Sequence, residues 1–439
     1  MNSQNDIHEE NTSFPLEELS WLITKNASIV SEYLSAHDLP QPSFRADGPS
    51  STLPKDSPRS ILQARQNLME ASLKIFQLAI GPSEFLPNLA TGFQYVSSLS
   101  WLCHFKIFHL VPVDGTISYV DLADRAKVPE QRLKSIIRMA MTNMLFLETG
   151  RGEVSHSATS ALFVRNPDVY AWATYMCANS APTAMSMAAA HERWGPDSVQ
   201  KNETAYNVAF GTDLPFFDHI AQDEAKISEF AAYMRNVTSS EGVDIKHLVG
   251  GYRWADLGNG KVVDVGGSSG NAAIALANEF PDLSFVVQDL PVNIKNGRES
   301  AVSLVEDIGS RITFQSHDFT QPQPVKDADV YLLRMILHDW PDHVAVEILK
   351  NIVSAMSKPN SKLLIMDSVL PSPGAVPTSV ERVIRVRDLT MMQAFNSKER
   401  DLDGWKQLLK LADDKLRLVD VTQPCGSSMS ILEVVLEYH

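Results

Sequence analysis

The stretch Lys261-Val-Val-Asp264-Val-Gly266-Gly267-Ser268-Ser269-Gly270-Asn271 passes from β-branched residues into a glycine-rich turn and on into the segment Ala272 to Asn278. It reads as a buried strand, a tight turn and a helix. Glycines at such a turn let backbone N–H groups approach a ligand, and the helix N-terminus presents the positive end of its dipole there. Two chemistries share the pattern. Gly266-x-Ser268-x-Gly270 matches an elbow that displays a nucleophilic serine, whereas Asp264-x-Gly266-x-x-x-Gly270 matches the first turn of a nucleoside-cofactor fold.

The strands around it discriminate. Six further strand candidates follow, at Leu283 to Gln288, Ile312 to Ser316, Asp329 to Leu333, Lys362 to Met366, Arg417 to Val421 and Ser430 to Leu436, with helical patterns between most of them. No parallel-sheet pattern precedes the turn, while a nucleophile elbow follows several sheet strands. The alternation predicts an α/β, doubly wound sheet of seven strands. Only the last two strands, joined through Pro424-Cys425-Gly426-Ser427, are close enough to form an antiparallel hairpin.

Upstream, a helical pattern at Leu16 to Leu34 leads into Asp38 to Pro58, where Pro40, Pro42, Pro49, Pro54 and Pro58 among Ser and Gly predict a linker without helix or ladder hydrogen bonds. Ser60 stands three residues before Gln63, a capping-box spacing, and predicts a helix that runs to Gly81-Pro82. From Ile117 to His156 come a short helix at Tyr119 to Arg125, a second helix with Pro129 as its first residue, and a hairpin of Leu145 to Thr149 with Glu153 to His156. That is the pattern of a winged helix-turn-helix. Its six basic residues (Arg125, Lys127, Arg132, Lys134, Arg138, Arg151) stand against five acidic ones (Asp121, Asp124, Glu130, Glu148, Glu153), no electrostatic footprint for DNA. Apolar density in Phe93 to Val111 and in Tyr170 to Ala190 predicts helices with several buried faces, a partner subunit among the things they pack on. The expected division is 1–59, helix and linker; 60–175, helical winged-helix domain; 176–439, catalytic domain.

The whole chain of 439 residues has 38 Lys+Arg against 53 Asp+Glu, a net charge of -15 that repels phosphate backbones and anionic membranes. With 44% hydrophobic residues and no apolar run long enough to span a bilayer, neither nucleic acid nor membrane is an expected partner. Cys103, Cys177 and Cys425 are scattered and lack CxxC spacing, and Met1 leads into a polar stretch, so a reducing cytoplasmic setting is expected.

The carboxyl ends of parallel strands form the ligand crevice of this architecture, so residues there are the functional candidates. Asp289 ends the second strand 25 residues after Asp264, where a carboxylate accepts two ribose hydroxyls; a capping role before Pro291 is the alternative. Asp318 and Phe319 end the third, an acceptor beside an aromatic ring. The fourth ends at Arg334-Met-Ile-Leu-His338-Asp339-Trp340-Pro341-Asp342, and His338 is a candidate general base because imidazole titrates near neutrality. A metal reading of His338, Asp339, Asp342 and His343 is disfavoured, since successive residues at a strand end rarely converge on one ion. Asp367 and Glu399 are carboxylates that can orient the base, although alone one reads as a turn residue and the other as part of a surface charge run.

These motifs resemble the S-adenosylmethionine-dependent O-methyltransferases of plant and fungal secondary metabolism, the caffeate-type group that includes fungal polyketide and sterigmatocystin enzymes. The resemblance rests on Val263-Asp-Val-Gly-Gly-Ser-Ser-Gly270, Val286-Val-Gln-Asp-Leu-Pro291, Asp318-Phe319, Leu332-Leu-Arg-Met-Ile-Leu-His-Asp-Trp-Pro341, Ile365-Met366-Asp367-Ser368 and Lys398-Glu399-Arg400, in family order and spacing from Ser60 onward. It implies a Rossmann-like fold in which Gly266, Gly267, Asp289, Asp318, Phe319 and Arg334 hold S-adenosylmethionine. It also implies His338 as base with Asp367 and Glu399 as its supports, and a winged domain that makes a homodimer. Two departures stand out: Ser268 replaces a frequent glycine, and Asp367 is one methylene shorter than the usual Glu. No metal is implied, and the product is S-adenosylhomocysteine.

On that reading the substrate is a small phenolic or polyketide molecule, bound in an apolar pocket for which Phe210, Phe216, Phe217, Phe230, Met234, Met391, Met392 and Phe395 are candidates, ordinary core packing being the alternative. Related fungal proteins that keep S-adenosylmethionine as a fixed charge and catalyse cyclisation or pericyclic chemistry without methyl transfer are the second functional class. A winged-helix regulator that senses a ligand is the third.

Overall fold

The structure is a computed structural model that describes residues 16–302 and 304–437. The chain forms two compact units, one of residues up to Thr174 with Pro377–Ser379, the other of Tyr175–Val376 with Val380 onward.

The second unit is built on seven strands: β1 (Lys261–Val265), β2 (Ser284–Asp289), β3 (Ile312–Ser316), β4 (Val330–Arg334), β5 (Lys362–Asp367), β6 (Leu416–Thr422) and β7 (Ser430–Leu436). Their order across the sheet is β6-β7-β5-β4-β1-β2-β3. The strands β3, β2, β1, β4 and β5 pair in parallel, while β7 runs antiparallel to both β5 and β6. The sequence reading of seven strands and a terminal hairpin agrees with this, with bounds that differ by one or two residues at β2, β4, β5 and β6. The central strands are predominantly apolar because both faces are covered, with Asp264 the buried exception in β1. Val263, Val265, Tyr331, Leu333 and Ile365 pack on one side with Ile348, Leu349, Trp405 and Leu408. Their alternate neighbours Val262, Phe285, Leu332, Leu364 and Met366 pack on the other with Trp254, Leu276 and Phe314. The period of two along a strand thus builds two cores from one sheet. Order reverses between β1 and β4, the place where such a sheet opens a crevice at its carboxyl end.

In the first unit, the helices Leu16–Ala36 and Arg59–Ile80 enclose Val30, Leu34, Leu53 and Ala64. The helix expected to be capped by Ser60 starts at Arg59, and Pro58 takes the cap position without a side-chain bond. The Pro58 carbonyl accepts the N–H groups of Ile61 and Leu62, so Ser60 lies inside the first turn. The segment Asp38 to Pro58 is not a free linker. Phe44 O accepts the Ala158 N–H, Arg165 donates to Ala46 O, Arg45 bridges to Ser157, and Leu53 is buried, so the proline-rich stretch is an ordered strap. Tyr119–Ala126 and Glu130–Met141 follow as short helices, Pro129 capping the second rather than opening it. The strands Ile117–Ser118, Leu147–Glu148 and Glu153–Ser155 form a small antiparallel sheet with the last in the middle. Arg138 and the Tyr119 hydroxyl both donate to Glu148, tying the helices to that sheet.

Of the two segments expected to bury several faces, Phe93 to Val111 does so at Leu99, Leu102, Ile107, Phe108 and Val111. In the helix Phe85–His104 the residues Phe85, Leu86, Leu89 and Phe93 are exposed within the single chain, whereas Leu99, Leu102 and Cys103 are buried. Beyond Tyr175 the run is broken by a π-turn at Met176–Ser180, and Met185 faces solvent. Among the described residues, no helix is long and apolar enough to cross a membrane.

Candidate active site

The glycine turn after β1 has its geometry fixed from three directions. Gly266 and Gly270 have φ of 75° and 85°, and Ser268 between them takes 51°, a conformation that costs an L side chain about 1 kcal/mol. A Cβ on Gly266 would meet Ile336 Cδ1 at 2.6 Å, and one on Gly267 would meet the Asp264 carboxylate at 2.4 Å. The turn therefore keeps glycine because side chains from β1 and from the end of β4 already fill the space. Ser268 tolerates its position since its backbone N–H donates to Asp289 Oδ2 at 2.8 Å.

Asp289 is held by two more donors, the Leu290 N–H and the Asn293 amide, each 2.7 Å from Oδ1. Three bonds to one carboxylate fix its rotamer and leave the remaining lone pairs for hydroxyl donors. Asp318, at the end of β3, is exposed and accepts from Thr320 N–H and Oγ at 2.9 and 2.8 Å through Oδ1. Next to it, the Phe319 ring meets Trp340 edge-on with centroids 5.5 Å apart, and it also borders the glycine turn, 3.6 Å from a Cβ built on Gly266. Arg334 ends β4 and donates to Val243 O at 2.5 Å. Its Nε is buried without a partner, as is Asp264 Oδ2. Burial pushes the Asp264 carboxyl up to about 7, opposed by Arg334 and reinforced by Asp289. Gly266, Gly267, Asp289, Phe319 and Arg334 thus converge on one turn, with orphaned polar atoms and no room for added Cβ atoms; this fits a nucleoside cofactor with charged groups.

After β4, Met335 takes a left-handed φ of 55° and turns the chain into the 3-10 turn Leu337–Asp339. His338 is thereby buried at the sheet end, where its Nδ1 lies 2.9 Å from Glu399 Oε1 and 3.4 Å from Asp367 Oδ1. Glu399 makes the hydrogen bond, and Asp367 contributes charge from the end of β5. The Nε2 nitrogen is 3.6 Å from Asp339 Oδ1. Burial works to strip His338 of its proton, but Asp367, Asp339 and Glu399 together outweigh it and hold the imidazole well above its ordinary pKa. Asp367 is itself pushed upward by burial and by Glu399, with His338 opposing. Nδ1 is occupied by its orienting carboxylate, leaving Nε2 as the nitrogen that can exchange a proton with a ligand.

Of the four residues considered from sequence as a metal set, Asp342 is engaged by Lys398 at 2.8 Å and by Arg400 at 2.8 Å. Ligand-type atoms of His338, Asp367 and Glu399 do lie within 4.8 Å of one another, yet the spacing of Nδ1 and Oε1 is that of a hydrogen bond.

Sequence reasoning missed the residues that hold the base in place. Arg400, read as a flank of a charge run, is almost fully buried and donates to Leu337 O, Trp340 O and Asp342. Ser397 Oγ donates to His338 O at 2.6 Å, and Asp388 accepts the Glu399 N–H. Asn396 donates to Gln200 O and Glu203 O. The signal was the density of hydrogen-bonding residues from Asn396 to Arg400, which looks solvated only when the partners are unknown. Half-buried Arg387, close enough to Glu399 and Tyr233 for their charges to act on it, carried no motif.

Of the pocket candidates, Phe210, Phe216, Phe217, Phe230 and Phe395 form one cluster with Tyr206, whose ring meets Phe210 and Phe216. Phe216 packs against Phe217, Phe230 and Phe395 with centroids 5.2 to 5.3 Å apart. Met234, Met391 and Met392 are half-buried on their helices.

A family profile described as an O-methyltransferase domain matches residues 196–413. The chain is 62% identical over 428 residues to O-methyltransferase pgmB of Aspergillus terreus, covering 97% of each chain. It is 47% identical over 428 residues to O-methyltransferase aurJ of Gibberella zeae, covering 96% of this chain and 97% of that one. Among solved structures it matches a pericyclic reaction enzyme at a TM-score of 0.69 with 26% identity, covering 85% of this chain and 94% of that one. OxaC in complex with sinefungin and meleagrin matches at a TM-score of 0.74 with 22% identity, covering 95% and 99%, a likeness of fold.

Proposed function

The chain belongs to the S-adenosylmethionine-dependent O-methyltransferases of secondary metabolism, and from that premise we propose that it methylates a phenolic or enolic hydroxyl of a flat polyketide-type molecule with His338 as general base. The observation that carries this reading is the Nδ1–Glu399 hydrogen bond of 2.9 Å, which fixes the tautomer and leaves Nε2 to take the proton. S-adenosylmethionine supplies an activated methyl group with its own leaving group. The chain has then to align and to deprotonate. His338 removes the hydroxyl proton at Nε2 as the new C–O bond forms, and Glu399 with Asp367 stabilises the imidazolium. Gly266, Gly267, Asp289, Asp318, Phe319 and Arg334 hold the cofactor, and the phenylalanine cluster with Tyr206 supplies flat apolar surface for the acceptor.

The test is mass spectrometry of products formed from methyl-labelled S-adenosylmethionine and a panel of phenolic polyketides and their ring-closure precursors. A product heavier by one labelled methyl, absent with His338→Ala, is expected. Conversion of a precursor without label, still dependent on cofactor, would overturn methylation in favour of the pericyclic chemistry of the 26%-identical structural neighbour.

We further propose the division 1–59, 60–175 and 176–439 as helix with proline-rich strap, winged-helix dimerisation domain and catalytic domain. In support of dimerisation, Phe85, Leu89 and Phe93 recur every fourth residue of one helix and are 58%, 55% and 60% exposed, with Leu86 at 70% beside them. A contiguous apolar stripe of this kind marks an association surface. Light scattering is expected to give twice the chain mass of 48.6 kDa, and Leu86→Asp combined with Phe93→Asp to return it to one chain. A single-chain mass for the unaltered protein would remove the proposal.

A further inference from the structure

Lys201 lies on a loop outside every motif read from the sequence, yet its Nζ sits 3.8 Å above the centre of the Trp340 ring. Trp340 is two residues beyond His338, and its own ring meets Phe319 edge-on at the glycine turn. The ammonium is partly withdrawn from water: burial lowers its pKa, and Asp218, Asp318 and Glu347 counter that. A cation over an indole face is stronger when desolvated, and indole is the best of the aromatic acceptors. The loop itself is fastened. Asn396, in a left-handed conformation with φ 50°, donates to Gln200 O at 2.7 Å and Glu203 O at 3.1 Å, the carbonyls that flank Lys201. Ser198 Oγ donates to Glu203 at 2.5 Å and closes the loop on itself.

We propose that Lys201 is a cofactor-positioning residue, which braces Trp340 and through it Phe319, so that the nucleoside end of the site is set before the cofactor arrives. The proposal rests on the reading of Asp318 and Phe319 as cofactor residues. Preorganisation of this kind shows in affinity, because the ring pair no longer has to be ordered on binding. The charge is required and the methylene stem is not, so arginine should substitute and an isosteric apolar side chain should not.

The experiment is calorimetric titration of the full chain with S-adenosylhomocysteine, comparing the unaltered protein with Lys201→Met and Lys201→Arg. Lys201→Met is expected to bind about three- to thirty-fold more weakly, and its KM for S-adenosylmethionine to rise in proportion. Its kcat and melting temperature should be unchanged, and Lys201→Arg should restore the affinity. Equal affinity of Lys201→Met and the unaltered chain overturns the proposal. So does a joint fall of kcat and melting temperature that arginine does not rescue, which would mark a structural role. Absence of binding by the unaltered chain would instead overturn the reading of the cofactor site, and the positioning role with it.

Discussion

His338→Ala is expected to lower turnover by about a hundred- to ten-thousand-fold, the range general-base catalysis supplies, while S-adenosylhomocysteine still binds. The two readouts separate because His338 stands in the middle of the Leu337–Asp339 turn, whereas Asp264 and the triply bonded Asp289 lie at the glycine turn. Full activity in the variant would end the assignment. A pH profile adds the sign. Three carboxylates hold the imidazole proton well above its ordinary range, so the competent neutral base becomes populated as pH rises, and log kcat/KM should climb through and above neutrality. Asp367→Asn removes one of those charges and should move the rising limb to lower pH. A limb that stays in place would mean that Asp367 is not felt by the base.

The second large effect is expected at Gly267. An added methyl would lie 2.4 Å from Asp264 Oδ2, 2.5 Å from Asp264 Cγ and 3.0 Å from Val287 Cγ1. Asp264 is buried on a central strand and its side chain is short, so it cannot swing aside as the tip of a long residue would. Gly267→Ala is therefore expected to cost at least the about 1–3 kcal/mol typical of overpacking. S-adenosylhomocysteine affinity should fall more than tenfold as the turn is displaced. Calorimetry and thermal melting check both. Gly250→Ala, where a Cβ meets nothing within 4 Å, is the control expected to leave both readouts in place. Unchanged affinity and melting temperature in Gly267→Ala would show that the turn has more room than its geometry implies.

The sheet was legible because each strand is bounded by turn residues and because both-face burial makes the interiors of β4 and β5 continuous apolar runs. The candidate site was legible in part at strand ends, where this architecture places its ligands: Asp289 and His338 were singled out by position, whereas the parts given to Phe319 and Arg334 came only with the family resemblance. What escaped depends on partners far away in sequence. Arg400 and Asn396 look like surface residues until the carbonyls of Leu337, Trp340, Gln200 and Glu203 are beside them. Proline content correctly excluded a helix over Asp38 to Pro58 but says nothing about hydrogen bonds from other segments to its carbonyls, such as those of Phe44 and Ala46. The cap read at Ser60 failed by two positions and Pro129 by one, because a proline carbonyl can open a helix without a capping side chain.

From Asn396 to Arg400, five consecutive residues are each fastened to something different: a loop carbonyl pair, the His338 carbonyl, Asp342, the His338 imidazole, and the Leu337 and Trp340 carbonyls. Insertion or deletion of one residue there would shift every attachment at once, and no rotamer change could restore more than one of them. The spacing between Asn396 and Arg400 is therefore constrained as tightly as the identity of any residue within it, and length variation is expected to be excluded from this short connection although its sequence looks like an ordinary polar loop.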